Sequence, residues 1–323
     1  MPREHWLLWT FPATFCCARV KLRQRTLFLL LLLPALLLLL WPVWTAQPPC
    51  TLASCSCETC VTDQGLSAWF DQRFNSTVQP LLTNDNTNIS TDILLWWLKL
   101  QMKAPAVSLA HELLFQQAPK SRLDPRNNCR CHTCAVVGNS GNLVSSSYGQ
   151  LIDSHRFVFR MNQAVTEGYE ADVGRKTTHH LMYPESARSL EPGVRPVLVP
   201  FKPRDLQWMQ PGTRARRALR VDWDKALTFH PAFMKYVHDA WTQGHGRYPS
   251  TGLLALVLAL HLCDQVSVMG YGSDGRGDWH HYWERNRLAG AFRFTGVHDA
   301  TFEAAVIRRL AAGGKVRLYR GRL

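Results

Sequence analysis

Two short clusters near the carboxyl end of the chain, His281-Tyr282-Trp283-Glu284 and His298-Asp299-Ala300-Thr301-Phe302-Glu303, carry the side chains best suited to moving a proton near neutral pH. Thirteen histidines occur in all, so residue type alone singles out none of them, and the local pattern has to do so. A third cluster, Cys134-Ala-Val-Val-Gly-Asn-Ser-Gly-Asn142, is an apolar run that ends in a glycine-rich turn, the arrangement that brings backbone N–H groups close to a phosphate or ribose. It has neither the dinucleotide spacing of glycines nor a Walker lysine. Ser140 in this turn is the nucleophile a hydrolase would use, but Asn142 stands where the second glycine of an esterase elbow belongs. Asp222-Trp223-Asp224 matches an Asp-x-Asp metal motif, yet it follows an arginine-rich stretch and not an apolar strand. The adjacent pairs His179-His180 and His280-His281 would point to opposite faces of a strand, a poor start for a zinc site.

The elements that must position these groups read as α/β. Apolar runs of strand length begin at Cys134 and recur at 156–161, 195–200, 265–271 and 315–319, with helical stretches between them, notably 250–263 and 299–311. Alternation of this kind predicts a single catalytic domain, with a mostly parallel, Rossmann-like central sheet flanked by helices on both faces. A glycine turn at the carboxyl end of a strand is where such sheets bind nucleotides. Upstream, the aromatic and aliphatic residues of 66–82 and 90–101 fall at helix-like spacings, with Ser90 or Thr91 as a cap.

Residues 26–44, TLFLLLLLPALLLLLWPVW, run about nineteen residues without a charge, nearly enough at ~1.5 Å per residue to span a bilayer. Trp41 and Trp44 suit its interface, and Arg3, Arg19, Lys21, Arg23 and Arg25 against Glu4 alone keep the amino end cytosolic. The expected organisation is a cytosolic tail over 1–25, a signal-anchor over 26–44, a Pro- and Cys-rich stem over 45–62 and a lumenal catalytic domain over 63–323. Its shortness and leucine richness suit the early secretory pathway. A lumenal location accounts for eight of the ten cysteines and makes Asn75-Ser76-Thr77 and Asn88-Ile89-Ser90 acceptors for N-glycans. Cys16 and Cys17 fall on the cytosolic side, where thiols stay reduced or are acylated. A composition of 46% hydrophobic and 19% charged residues supports one sizeable enzyme core. The net charge of +13 favours anionic substrates or membranes, in a compartment that excludes nucleic acid as the partner.

Four blocks in this order resemble the four sialyl motifs of the eukaryotic sialyltransferases: 134–199, with CAVVGNSGN, RMNQA and DVGRKTTHH; 230–272, with HPAFMKYVHDAWTQGHGRYPSTGLLALVLALHLCDQVSVMGYG; His281-Tyr-Trp-Glu; and the His298-x4-Glu303 pattern. With SAWFDQRFN from Ser67 and the anchor, the resemblance covers essentially the whole chain, and it points in particular to β-galactoside α-2,3-sialyltransferases acting on Gal-β1,3-GalNAc. It implies a GT-A-like glycosyltransferase fold and a type II protein of the Golgi membrane, with stem cleavage to a secreted form left open. The donor is CMP-sialic acid and the acceptor a galactose-terminated glycan of a glycoprotein or glycolipid. No metal or other cofactor is implied.

Carried over position by position, the resemblance gives Asn139, Asn162, Ser250, Gly252 and Gly272 to donor binding and Gln101 and Tyr248 to the acceptor. His281 is assigned to the donor phosphate and His298 to the catalytic base of an inverting displacement, with Glu303 orienting or capping. Disulfides are implied for Cys55–Cys60, Cys57–Cys131 and Cys134–Cys263, and we add Cys50–Cys129 from the two cysteines left nearby. The chain departs from the pattern between Trp208 and Val221, where a shortened MQPGTRARRALR segment lacks a tyrosine that relatives place near the donor phosphate. Arg214, Arg216, Arg217 and Arg220 either compensate by charge or form a solvated basic loop. Two alternatives stand beside the transferase: a lumenal hydrolase and a carbohydrate-binding descendant without turnover.

Overall fold

The computed structural model describes residue 55 and residues 57–100, 107–117, 131–273, 279–286 and 296–321. Seven parallel strands form one sheet in the order β5-β4-β3-β2-β1-β6-β7, comprising β1 Thr133–Val137, β2 Phe157–Met161, β3 His179–Met182, β4 Arg195–Leu198, β5 Leu227–Thr228, β6 Gln265–Met269 and β7 Arg317–Tyr319. The central strands are buried on both faces, which is why β1 reads as a nearly unbroken apolar run; the polar residues buried in β2 and β6, Arg160 and Ser267, are hydrogen-bonded to the Val173 carbonyl and to His155. From β1 the chain winds outward through β2 to β5, then crosses back to lay β6 on the other side of β1, with Cys134 opposite both Phe157 and Val266. The reversal lies between β1 and β6, and its carboxyl edge is where an open α/β sheet has a natural crevice.

The Thr251–Leu262 helix, TGLLALVLALHL, is buried almost all round and packs across β1, β2 and β6. Ser250 caps it, its hydroxyl oxygen accepting from the Leu253 N–H at 3.1 Å. Asp299 caps the Ala300–Ala312 helix through the Phe302 N–H in the same way. Three disulfides are present as the resemblance implied: Cys55–Cys60, Cys57–Cys131 and Cys134–Cys263. The last closes 129 residues of chain and fastens β1 to the end of the long buried helix. A loop of that size is worth about 5 kcal/mol in the chain-entropy account.

The expected sheet is present, although β3 and β5 are short and only β3's histidines had suggested a strand there. His280 and His281 are not in a strand as expected: His281 makes only isolated bridges, to Ser140 and Glu284. Asn75 and Asn88 are both exposed. Among the described residues no helix is long and apolar enough to cross a membrane. The 26–44 span, Cys16, Cys17, Gln101 and the Cys50–Cys129 pair lie outside the described residues.

Candidate active site

A cavity of about 680 Å³ opens at the carboxyl edge of β1, β2, β6 and β7. Its floor is where β1 and β6 leave the sheet side by side. A Cβ on Gly138 would stand 2.2 Å from the Gly270 carbonyl oxygen, and Gly270 itself has φ +71°, so no larger side chain fits at either exit. Backbone bonds from Gly138 N to Met269 O (2.8 Å) and from Ser140 N to Gly270 O (3.0 Å) join the two loops. The 280–284 turn is tied on top, Gly141 N donating to His280 O (2.9 Å) and Tyr282 N to Asn139 O (3.0 Å). The glycine turn therefore fixes the position of His281.

Three asparagines converge on this cavity. Asn139 donates from its amide nitrogen to the Met161 carbonyl at 3.2 Å, and Asn142 to the Tyr271 carbonyl at 2.8 Å. The side-chain oxygens of Asn139, Asn142 and Asn162 are buried and have no partner within the protein. Three unpaired acceptors around one cavity call for a ligand that donates hydrogen bonds, such as ribose hydroxyls or an exocyclic amine. Asn162 holds a left-handed backbone (φ 58°), and its carbonyl accepts from His180 Nε2 at 2.7 Å. Burial pushes His180 down to about 4, so this imidazole is a neutral strut. Gly252 carries the second wall: the Tyr271 hydroxyl donates to its carbonyl at 2.9 Å, and a Cβ there would meet the Tyr271 ring at 3.1 Å. Gly272 has φ +116° and lies over Asn142.

His298 also lines the cavity, just ahead of the Ala300–Ala312 helix. Gly246 presses against it so closely that a Cβ would lie 3.1 Å from His298 Cα, and Arg247 N donates to Val297 O at 2.9 Å. Nδ1 of His298 donates to the Tyr248 carbonyl at 2.8 Å. A carbonyl only accepts, so the proton sits on Nδ1 and Nε2 keeps a lone pair. Burial moves the imidazole below the usual histidine range, which keeps it neutral and able to take a proton. The Tyr248 ring packs edge-on to His298 (centroids 5.0 Å apart) and against Phe201 (4.7 Å), placing it beside the base, although not in the cavity wall.

His281 stacks on Trp283 (4.5 Å between centroids, planes 9° apart) and donates from Nδ1 to the Glu284 carboxylate at 2.8 Å. Its other nitrogen remains for a ligand. Glu303 lines the cavity, but its carboxylate is engaged by Ser250. Its carboxylate accepts from the Ser250 N–H at 2.8 Å and from the Ser250 hydroxyl, while burial raises it to about 7. Ser250 thus spends its proton on Glu303 and one lone pair on its helix cap, leaving a single lone pair toward the cavity. The orienting role foreseen for Glu303 takes this concrete form.

Around one cavity the structure brings together Asn139, Asn162, Ser250, Gly252, Gly272, His281 and His298. Asn142, His280, Arg308 and Arg320 also line it and had not been singled out as site residues. Asn142 had been read only as a missing glycine, and the two arginines carry no motif of their own. Ser140 Oγ donates to the Gly272 carbonyl at 2.7 Å and caps Asn142 N, so it supports the turn and is not poised as a hydrolase nucleophile. Asp222 pairs with Lys225 at 2.8 Å, and neither it nor Asp224 is part of the cavity. Nor do Arg214, Arg216, Arg217 and Arg220 reach it, so compensation there by their charge is not supported; Arg308 and Arg320 are the cations on its wall.

Comparison with known proteins gives this geometry a context. Residues 81–315 match the family model of glycosyltransferase family 29 (sialyltransferase). The chain is 51% identical over 281 residues to CMP-N-acetylneuraminate-beta-galactosamide-alpha-2,3-sialyltransferase 2 of Rattus norvegicus, covering 83% of this chain and 80% of that protein. It is 52% identical over 283 residues to the sialyltransferase 1 of that name from Homo sapiens, covering 83% of each. A crystal structure of a mammalian sialyltransferase in complex with Gal-beta-1-3GalNAc-ortho-nitrophenol superposes with a TM-score of 0.74 at 47% identity, over 83% of this chain and 100% of that one.

Proposed function

The chain belongs to glycosyltransferase family 29, the sialyltransferases, and from that premise we propose that it moves sialic acid from CMP-sialic acid to the 3-hydroxyl of galactose in Gal-β1,3-GalNAc glycans. The observation that carries the reading is a single cavity with three unpaired asparagine oxygens on one side and a neutral, oriented histidine on the other. The asparagines suit the hydroxyls and amine of the cytidine, and His281 with the backbone N–H groups of the glycine turn suits the phosphate.

In the proposed step the galactose O3–H gives its proton to His298 Nε2 as O3 bonds to the anomeric carbon. The bond from that carbon to the phosphate oxygen breaks on the opposite face, and its electron pair leaves with CMP, so configuration inverts. The scheme draws on no metal: with its Nδ1–H on the Glu284 carboxylate, His281 offsets the charge gained by the leaving phosphate as the imidazolium, whose Nε2–H donates to it. Tyr248, together with Gln101, receives the acceptor sugar. The 26–44 signal-anchor, a Golgi location and N-glycans on Asn75 and Asn88 complete the proposal, on the strength of the sequence.

A transfer assay with radiolabelled CMP-sialic acid and a Gal-β1,3-GalNAc glycoside tests the reading. The expected product carries label in an α2,3 linkage, and activity survives EDTA. Binding of CMP without transfer would leave the non-catalytic descendant, and activity restored only by manganese would return Asp222 and Asp224 to consideration.

A further inference from the structure

Between β4 and β5 the chain carries a belt of arginines that the reaction does not use. Arg204 follows β4 in the Pro203–Trp208 helix, and Arg214, Arg217 and Arg220 lie in and after the Arg214–Ala218 helix; all four are exposed. Among the described residues none of them has a carboxylate within ion-pairing distance. Of the acids nearby, Glu185 and Asp205 pair with Lys202, at 2.6 and 3.8 Å, and Asp222 with Lys225, at 2.8 Å. The belt is anchored to the site. Arg220 is bonded through its backbone to Ser189 and Leu190, and the neighbouring Arg188 donates to the carbonyls of Gln163 and Ala164, directly behind Asn162. At the other end Lys202 follows Phe201, whose ring packs on Tyr248.

We propose that this belt docks an acidic stretch of the polypeptide that carries the acceptor glycan, an inference that rests on the galactoside-transfer reading above. Tyr248, beside His298, packs on Phe201 just after β4, so a carrier chain whose galactose is received there lies next to the side on which the belt begins, and exposed guanidinium groups match carboxylates in a two-pronged geometry. A membrane surface fits less well. Basic faces that enter a bilayer interface pair their charges with exposed large apolar side chains. Here Trp208 and Trp223 are turned against each other (centroids 5.6 Å apart), and the exposed large hydrophobics among the described residues, Leu66, Leu95, Phe115 and Val144, are spread over four separate segments, with Phe115 a single apolar side chain on the Val107–Gln117 helix that packs against Pro203–Trp208.

Two measurements on the full chain test it. The first is fluorescence anisotropy of a labelled Asp/Glu-rich peptide without glycan. It should show binding that weakens as salt rises past ~0.15 M and that falls about tenfold in the double variant Arg217→Glu, Arg220→Glu. The second compares Gal-β1,3-GalNAc glycopeptides with acidic or neutral flanks. The wild type should show a KM about fivefold lower for the acidic one, the double variant should lose that difference, and transfer to the free disaccharide should be the same in both proteins. Equal KM values in the wild type, or a preference that survives charge reversal, overturn the inference. So does binding to phosphatidylserine vesicles without binding to the acidic peptide, which would assign the belt to a membrane. If no galactoside is sialylated, the functional reading fails, and the peptide measurement still decides the belt.

Discussion

Along β1 and β6 the chain leaves the sheet through glycines and a ladder of backbone hydrogen bonds, whereas the segment between β4 and β5 is held by lysine ion pairs and edge-on tryptophans and carries exposed arginines. The first side has almost no room to vary, since the main chain itself makes the contacts. It also gains the Cys134–Cys263 crosslink. The second side is held by side chains that can be exchanged one at a time, and it is where the family resemblance marks a departure, over 209–220. Donor recognition as proposed, which needs fixed backbone donors, draws on the rigid side. Contacts beyond the galactose can be drawn from the adaptable side without disturbing it.

The largest effect that would sharpen this contrast comes from a pair of glycines. Gly138→Ala forces a Cβ against a carbonyl that cannot retreat, and should destabilise the protein by about 3 kcal/mol while abolishing CMP binding. Gly212→Ala, at φ +84° with nothing within 4 Å, should cost only about 1 kcal/mol of backbone strain and leave CMP binding alone. Thermal unfolding and a CMP titration read both, and equal losses would break the distinction between the two sides.

Next is Asn142→Ala, which removes a buried acceptor assigned to the donor and should weaken CMP binding by about 1–2 kcal/mol, roughly five- to thirtyfold. Unchanged CMP affinity would show that this oxygen does not face the nucleotide. Glu303 gives a pH signature. Its carboxyl is raised to about 7 from an ordinary 4.5, so the folded state holds the proton more tightly than the unfolded chain does. Its contribution to stability is complete below about 4.5 and is lost as pH rises through about 7. Glu303→Gln should flatten that part of the Tm–pH curve; an unchanged slope would remove Glu303 as its source. The smallest effect belongs to the arginine side: Arg204→Gln with Arg214→Gln should shift stability by no more than about 0.5 kcal/mol. A larger loss in the melting curve would mean that the belt holds the fold together.

The rigid side was also the legible one. A buried parallel strand and a glycine turn are local in sequence, so β1, β2, β6 and the loop from Gly138 to Asn142 could be read directly. The resemblance supplied the rest of the motif, including the disulfides. Asn142 and the wall arginines Arg308 and Arg320 escaped because their significance arises only when β6, β7 and the Ala300–Ala312 helix fold over the β1 turn. The His280–His281 pair was misplaced on a strand because the backbone bonds that hold it, to Asn139 and Gly141, come from about 140 residues upstream. On the β4–β5 side the two-residue β5 has no periodicity to detect, and the packing of Trp208 on Trp223 is a tertiary fact.

The central claim is that His298 receives the acceptor proton while the donor is held elsewhere in the cavity. The most direct measurement is therefore of His298→Ala in the folded, full-length protein, comparing turnover on a Gal-β1,3-GalNAc glycoside with equilibrium binding of CMP. The account predicts that transfer falls on the order of 10²- to 10⁴-fold while CMP affinity stays near that of the wild type, since the imidazole acts on the acceptor and not on the nucleotide. Near-normal turnover in this variant, or a loss confined to CMP binding, would contradict it.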